Sequence, residues 1–198
     1  MRLLLMLLLV AQISFAQDDV VSDVKQFQDN LNKEFADPST SPLEGKGLKK
    51  FKTLPFYDID ANYRVVAKLT MTPDSEFKPS KTTTARFANH RVYGMLEFTL
   101  DGKQISIPVY QSKDLMNVEE YKDYLFFPFT DLTNNEETYG GGRYIDLRIP
   151  AGDEIVIDFN KAYNPSCAYS PKYSCPIVPS ENHIDLAVKA GVKYEGHH

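Results

Sequence analysis

Apolar positions keep two different periods along this chain, and the switch between them divides it. Val20, Val24, Phe27, Leu31 and Phe35 recur at helical spacing with a polar opposite face, which predicts a helix over residues 18–35. Asp18 and Asp19 suit the positive end of the helix dipole, and Asp37-Pro38 stops the helix. Residues 37–47 are rich in Pro, Ser, Thr and Gly and read as a linker. Beyond them the period is two. Residues 63–71 predict a strand that ends at Pro73-Asp74, and residues 77–87 a weaker one broken by Pro79. Leu96, Phe98 and Leu100 alternate with polar neighbours, Asp101-Gly102 follows, and Ile105, Ile107 and Val109 alternate in turn. That is the signature of a two-residue hairpin. Residues 112–122 are polar with room for a helical turn, and residues 124–129 form an aromatic, buried strand.

Residues 143–149 and 154–159 read as a second hairpin around Pro150-Ala151-Gly152-Asp153. A long loop with four prolines covers residues 160–182, and residues 184–188 offer a last strand. Short strands separated by turn signals predict a mainly β fold: an antiparallel sandwich or partly open barrel with one N-terminal helix. The expected organisation is a signal peptide over 1–16, helix and linker over 17–40, and a single β-rich domain over 41–198.

The leader follows from Arg2, the apolar run from Leu3 to Val10, and the small residues of Ser14-Phe15-Ala16. It predicts export, periplasmic or secreted, with no transmembrane anchor after cleavage. The 198 residues are 42% hydrophobic, and those after the leader are enough for one stable core. A formal net charge of −5 argues against nucleic acid as a partner, because phosphate binding needs a basic face. In an exported protein Cys167 and Cys175, the only cysteines, predict one disulfide. Free thiols or half a metal site are the alternatives, though no C-x2-C or H-x3-H pair is present and zinc normally takes four N/S ligands. No metal or cofactor is expected.

Register within the second hairpin generates the candidate site. Matching apolar to apolar pairs Ile149 with Ile155, Leu147 with Ile157 and Ile145 with Phe159. Asp146 then stands opposite Asp158, and Tyr144 opposite Asn160. Two carboxylates side by side need a cation, a shared proton or a bridging base. Arg143 shares the parity of Ile145 and points inward, so it needs a carboxylate: Asp131, Glu136, Glu137 or Glu181. The candidate polar site is therefore Asp131, Glu137, Arg143, Tyr144, Asp146, Asp158, Asn160 and Tyr163. It reads either as a site or as a structural ion-pair network neutralised by Arg148 or Lys161.

The run Tyr139-Gly140-Gly141-Gly142-Arg143 precedes a strand and lacks the P-loop Lys and Ser/Thr, so it reads as a bulge or turn. No G-x-S-x-G or H-E-x-x-H is present. Of the four histidines, His90, His183, His197 and His198, His183 joins the polar cluster or reads as a structural histidine, and the last two read as a frayed terminus. Tyr163, Tyr169 and Tyr173 cap the core or line a pocket.

Phe127-Pro128-Phe129-Thr130-Asp131, Glu137-Thr138-Tyr139-Gly140-Gly141-Gly142-Arg143-Tyr144, Asp158-Phe159-Asn160-Lys161-Ala162-Tyr163-Asn164-Pro165, Cys167-Ala168-Tyr169, Cys175-Pro176 and Glu181-Asn182 closely resemble, in that order, the domain of unknown function 1684 family. The resemblance covers most of the chain after the leader. It implies no activity, only that the motif residues, mostly polar, are those a site would use. An Arg is usual in that pattern after Glu-Asn, where this chain has His183. Its late Ala-Gly-Glu-Lys is here Ala190-Gly191-Val192-Lys193. Neither His183 nor Val192 therefore takes a family-wide role.

Three functions follow as expectations. The first is an exported binding module for a small polar ligand or cell-envelope component, with Arg143 as anion anchor. The second is a carboxylate-dependent hydrolase, with or without a divalent cation. The third is a structural envelope protein.

Overall fold

Period-two alternation commits most of the chain to one curved sheet. The computed structural model describes the backbone of residues 2–196 and the side chains of residues 19–196. The strands among them are β1 (Arg64–Met71), β2 (Lys78–Lys81), β3 (Phe87–Leu100), β4 (Lys103–Ser112), β5 (Tyr124–Asp131), β6 (Arg143–Arg148), β7 (Glu154–Asp158) and β8 (His183–Ile184). They join in the order β6-β5-β4-β3-β1-β7, with β2 added to β3 and β8 to β5. Every pairing is antiparallel except β8 on β5. The sheet curls into a nearly closed barrel. Alternate residues of the strands point into it and make one core, including Leu96, Phe98, Ile107, Phe127, Phe129 and Ile157. The β3–β4 hairpin turns on Asp101 and Gly102, both at positive φ (47° and 75°), as Asp-Gly predicts.

Among the described residues two α-helices precede the barrel. α1 spans Arg2–Ala36 and so begins before the expected start at residue 18; the side chains of the expected leader lie outside the described residues. Val24 and Phe35 of its predicted stripe are buried. α2 (Gly45–Lys50) occupies a stretch that partly overlaps the expected linker. Among the described residues no helix is long and apolar enough to cross a membrane.

The expected second hairpin does not form. β6 pairs with β5, and β7 pairs with β1, at opposite ends of the strand order. Ile145 faces Phe127 and Leu147 faces Leu125, while Ile155 faces Ala67 and Ile157 faces Val65. Asp146 therefore stands opposite Phe126, and Asp158 opposite Arg64. Apolar matching is a real constraint, but it is met equally well by these partners and so does not select the chain neighbour. Phe159 belongs to a 3-10 turn, Phe159–Lys161, rather than to a strand. After this turn Tyr163 exchanges both backbone hydrogen bonds with Tyr144 (2.9 and 3.0 Å), which occupies the open edge of β6.

Between β4 and β5 the ladder reduces to Tyr110 opposite Phe126. Pro108 and Pro128 flank that point, and neither has an N–H to donate. The fully buried Asn182 amide fills the gap, donating to Pro128 O at 2.8 Å and Pro108 O at 3.0 Å while accepting from Tyr110 Oη at 2.8 Å. The chain then adds β8 beside β5. This strand is shorter than the expected 184–188 because the following residues turn to serve Arg143, as described below.

A second apolar cluster lies outside the barrel: Tyr110, Phe126, Tyr144 and Cys175, with Val92, Tyr124 and Tyr163 packed on it. His90 joins it, stacked on the Phe126 ring at 5.5 Å. Burial pushes its imidazole below the ordinary 6.5. The unfolded chain therefore takes up a proton that the folded one refuses, and stability falls as pH drops through about 6.5, levelling off below the folded value. Urea midpoints measured from pH 7.5 to 5 will decline for the parent and stay flatter for His90→Gln.

Candidate functional site

Six of the eight candidate residues fall into three separate networks, and Glu137 and Tyr144 stand outside them. The first is sealed. Arg143, at the start of β6, points inward as its parity requires and is completely buried. Its Nη2 donates to Asp131 Oδ2 at 2.5 Å and to Val188 O at 2.9 Å, and its Nη1 donates to Ala190 O. The guanidinium lies over the Phe129 ring at 5.1 Å. Of the four carboxylates considered for Arg143, Asp131 is the partner. Arg143 is therefore no anchor for an external anion; its anion is internal.

The loop between β5 and β6 is shaped around the same carboxylate. Asp131 Oδ1 accepts from Thr133 N at 2.6 Å and Thr133 Oγ1 at 2.5 Å. That commits the Thr133 hydroxyl proton, so Thr138 donates to Thr133 at 2.8 Å. Thr138 accepts in turn from Asn134 Nδ2 at 3.0 Å. Glycine is required where this loop enters β6. Gly142 has φ of +88°, and a Cβ there would lie 2.6 Å from Phe129 O and 2.7 Å from Val178 Cγ2. The glycine-rich run is thus the turn it was read to be. Glu137 stands apart on the surface, paired with Lys189 at 3.1 Å, which holds its carboxyl below the usual range.

The second network clamps α1 to the barrel. Asp158, buried at the end of β7, accepts from Arg64 Nη1 at 3.0 Å, and the same nitrogen reaches Asp23 of α1 at 3.0 Å. Lys161 donates to both Asp23 oxygens at 2.8 Å, and its hydrogen bond lowers the Asp23 carboxyl. Asn160, buried, donates to Asp158 Oδ1 and to Asp60 O and accepts from Asp60 N. Asp158 is thus a structural partner of Arg64, and Asn160 of Asp158 and Asp60; Arg64, Asp60 and Asp23, which complete the network, neither spacing nor motif picks out.

The third network is open. Asp146, solvent-facing on β6, uses Oδ1 to accept from Tyr124 Oη and Tyr163 Oη, both at 2.7 Å. Burial raises both phenols well above their ordinary value, with the Asp146 charge adding to the effect, so they remain donors. Asp146 and Tyr163 line a groove of about 360 Å³ whose other wall is Phe27, Asn30, Leu31 and Glu34 of α1. Tyr144 turns away from it; its ring packs edge-on against Phe126 at 4.7 Å and its hydroxyl donates to Pro176 O.

Asp146 and Asp158 are not neighbours in the sheet, so the expected carboxylate pair is not assembled. Cys167 and Cys175 are free thiols here, with Cys167 N–H donating to Cys175 Sγ at 3.3 Å. The hydrogen bond between the two thiols lowers Cys167 to about 6 and raises Cys175. Among the described residues no group of His, Cys, Asp and Glu is arranged to hold a metal ion.

The model of a protein family of unknown function, DUF1684, matches residues 49–193. The chain belongs to the DUF1684 family. It is also similar to the solution NMR structure of an uncharacterized protein of Haloarcula marismortui, at 32% identity and a TM-score of 0.71, over 92% of this chain and 98% of that one. No curated protein matches. The likeness of this DUF1684 chain to that structure takes in residues outside 49–193.

Removing one partner from a buried ion pair strands the other, which costs about 3–5 kcal/mol. Arg143→Ala should lower the urea midpoint accordingly. An unchanged unfolding curve would contradict the burial described.

Proposed function

We propose that this protein is an exported binding module for a small polar ligand, held in the groove between α1 and the β5–β6 face. One observation carries the reading. Asp146 and Tyr163, both expected site residues, meet at an open groove, and the hydrogen bonds that fix Asp146 use only Oδ1. A carboxylate held by two phenols keeps a second oxygen for a hydroxyl or ammonium donor. Glu34 and Asn30 add polar groups opposite, and the Phe27 and Tyr163 rings supply the apolar faces that sugars and small amines use.

The hydrolase alternative needs two carboxylates at one reacting centre, and Asp146 and Asp158 serve different networks. The structural alternative describes the Arg143 and Arg64 networks well. It leaves the open Asp146 groove without a role.

Export places the thiol pair in an oxidising compartment. We take Cys167 and Cys175 to close a disulfide there, fixing the loop over Tyr144. Intact mass without reductant should be lower by two hydrogens than with it; equal masses would remove the bridge. For the groove, glucose, N-acetylglucosamine and choline are titrated into the isotope-labelled protein. The reading predicts saturable amide shifts around Asn30, Asp146 and Tyr163 for at least one of them. Asp146→Asn should weaken that binding about tenfold, the loss of one charge-assisted hydrogen bond, with the melting temperature held. Shifts elsewhere, or binding that survives Asp146→Asn, would contradict it.

A further inference from the structure

A cleft larger than the Asp146 groove lies elsewhere, between α2 and the loop that carries the Cys-Ala-Tyr motif. It measures about 520 Å³, within the range of small-molecule sites. Its floor is apolar and aromatic: Leu43, Phe51, Tyr169 and Tyr194. This floor continues a buried cluster of Phe35, Leu54 and Val192, and its rings are held in place. Tyr169 packs edge-on against Phe35 at 4.9 Å and accepts from Asn164 Nδ2 at 2.9 Å, and Tyr194 donates to Ala168 O at 2.7 Å.

The rim is basic. Lys46, Lys50 and Lys52 line the cleft, and Lys49 sits in the same short segment. In a chain of net charge −5, four lysines within seven residues are a local reversal of sign. Among the described residues none of the four has a carboxylate within ion-pair distance. The one acidic residue lining the cleft, Glu44, is already taken by Lys172. Free cations around an apolar hollow concentrate anions there.

From the unpaired lysine rim over a fixed aromatic floor, we infer that this cleft binds a single-chain amphiphile with an anionic headgroup, a fatty acid being the simplest. A methylene takes about the room of a water molecule, about 30 Å³, so the open cleft accommodates a chain of roughly a dozen carbons. The tail lies on Phe51, Tyr169 and Leu43, and the headgroup meets Lys46, Lys50 and Lys52. Neither a short polar anion nor a neutral amphiphile satisfies both halves. The site is separate from the Asp146 groove, and either reading can fail alone.

The chain has no Trp, so its emission is that of its twelve tyrosines, Tyr169 and Tyr194 of the cleft among them, and the amide shifts below locate the binding. Dodecanoate is titrated below its micellar concentration, beside dodecyl maltoside as the neutral amphiphile and acetate as the tail-less anion. Saturable binding is expected for dodecanoate, at least about tenfold tighter than for dodecyl maltoside, with none for acetate. The combined variant Lys46→Gln, Lys50→Gln, Lys52→Gln should erase that preference while leaving the melting temperature unchanged, since those lysines hold no ion pair. Amide shifts in the labelled protein should centre on Gly47, Phe51 and Tyr169. The inference is overturned by absence of saturable binding, by equal affinity for the neutral amphiphile, or by shifts centred on Asp146.

Discussion

A guanidinium taken wholly out of water needs an anion and further acceptors, or the fold that contains it is lost. Arg143 meets that need with three acceptors from two chain segments: Asp131 at the end of β5, and the carbonyls of Val188 and Ala190 from the C-terminal segment. Much of the barrel's upper part follows. The loop between β5 and β6 wraps around the other Asp131 oxygen, Gly142 lets it pass close to Phe129, and the chain after β8 leaves the sheet so that its carbonyls face the guanidinium. Asp131, Thr133, Thr138, Gly142 and Arg143 are thereby explained as architecture, because they build and seal this pair.

Such an arrangement decides where function is to be sought. A sealed ion pair cannot receive a ligand, and its members cannot act as acid and base on one. What remains open is the outer face. There the Asp146 carboxylate is held by two tyrosines beside α1, and past the C-terminal end of α1, where Phe35 packs on Tyr169, lies a lysine-rimmed aromatic cleft. The helix serves both. Its Asp23 clamp to Arg64 and Lys161 fixes its position against the barrel, and its Phe27–Leu31 stretch forms one wall of the groove.

Local pattern carried part of this structure well. The β3–β4 hairpin was legible because Asp-Gly sits between two alternating runs, and the inward direction of Arg143 was legible from its parity with Ile145 and Leu147. The same parity could not say which strand lies alongside β6. Ile145 and Leu147 match Phe127 and Leu125 as readily as they match Phe159 and Ile157, and rolling the sheet places β6 and β7 at its two ends. The acidic neighbours expected on the outer face vanished with that choice. Arg64, Asp23 and Tyr124 were illegible as partners because their contacts join residues far apart in the chain. The cleft was hidden for another reason: α2 occupies a stretch whose composition reads partly as linker.

The most direct test of the internal role of Arg143 is a double-mutant cycle with Asp131, using Arg143→Met and Asp131→Leu, read by urea unfolding. If the pair is a sealed staple, each single variant loses stability by stranding a buried partner, and the double variant recovers much of the loss. The coupling should exceed about 1 kcal/mol. Additive losses, or single variants as stable as the parent, would contradict a buried pair at the centre of this fold.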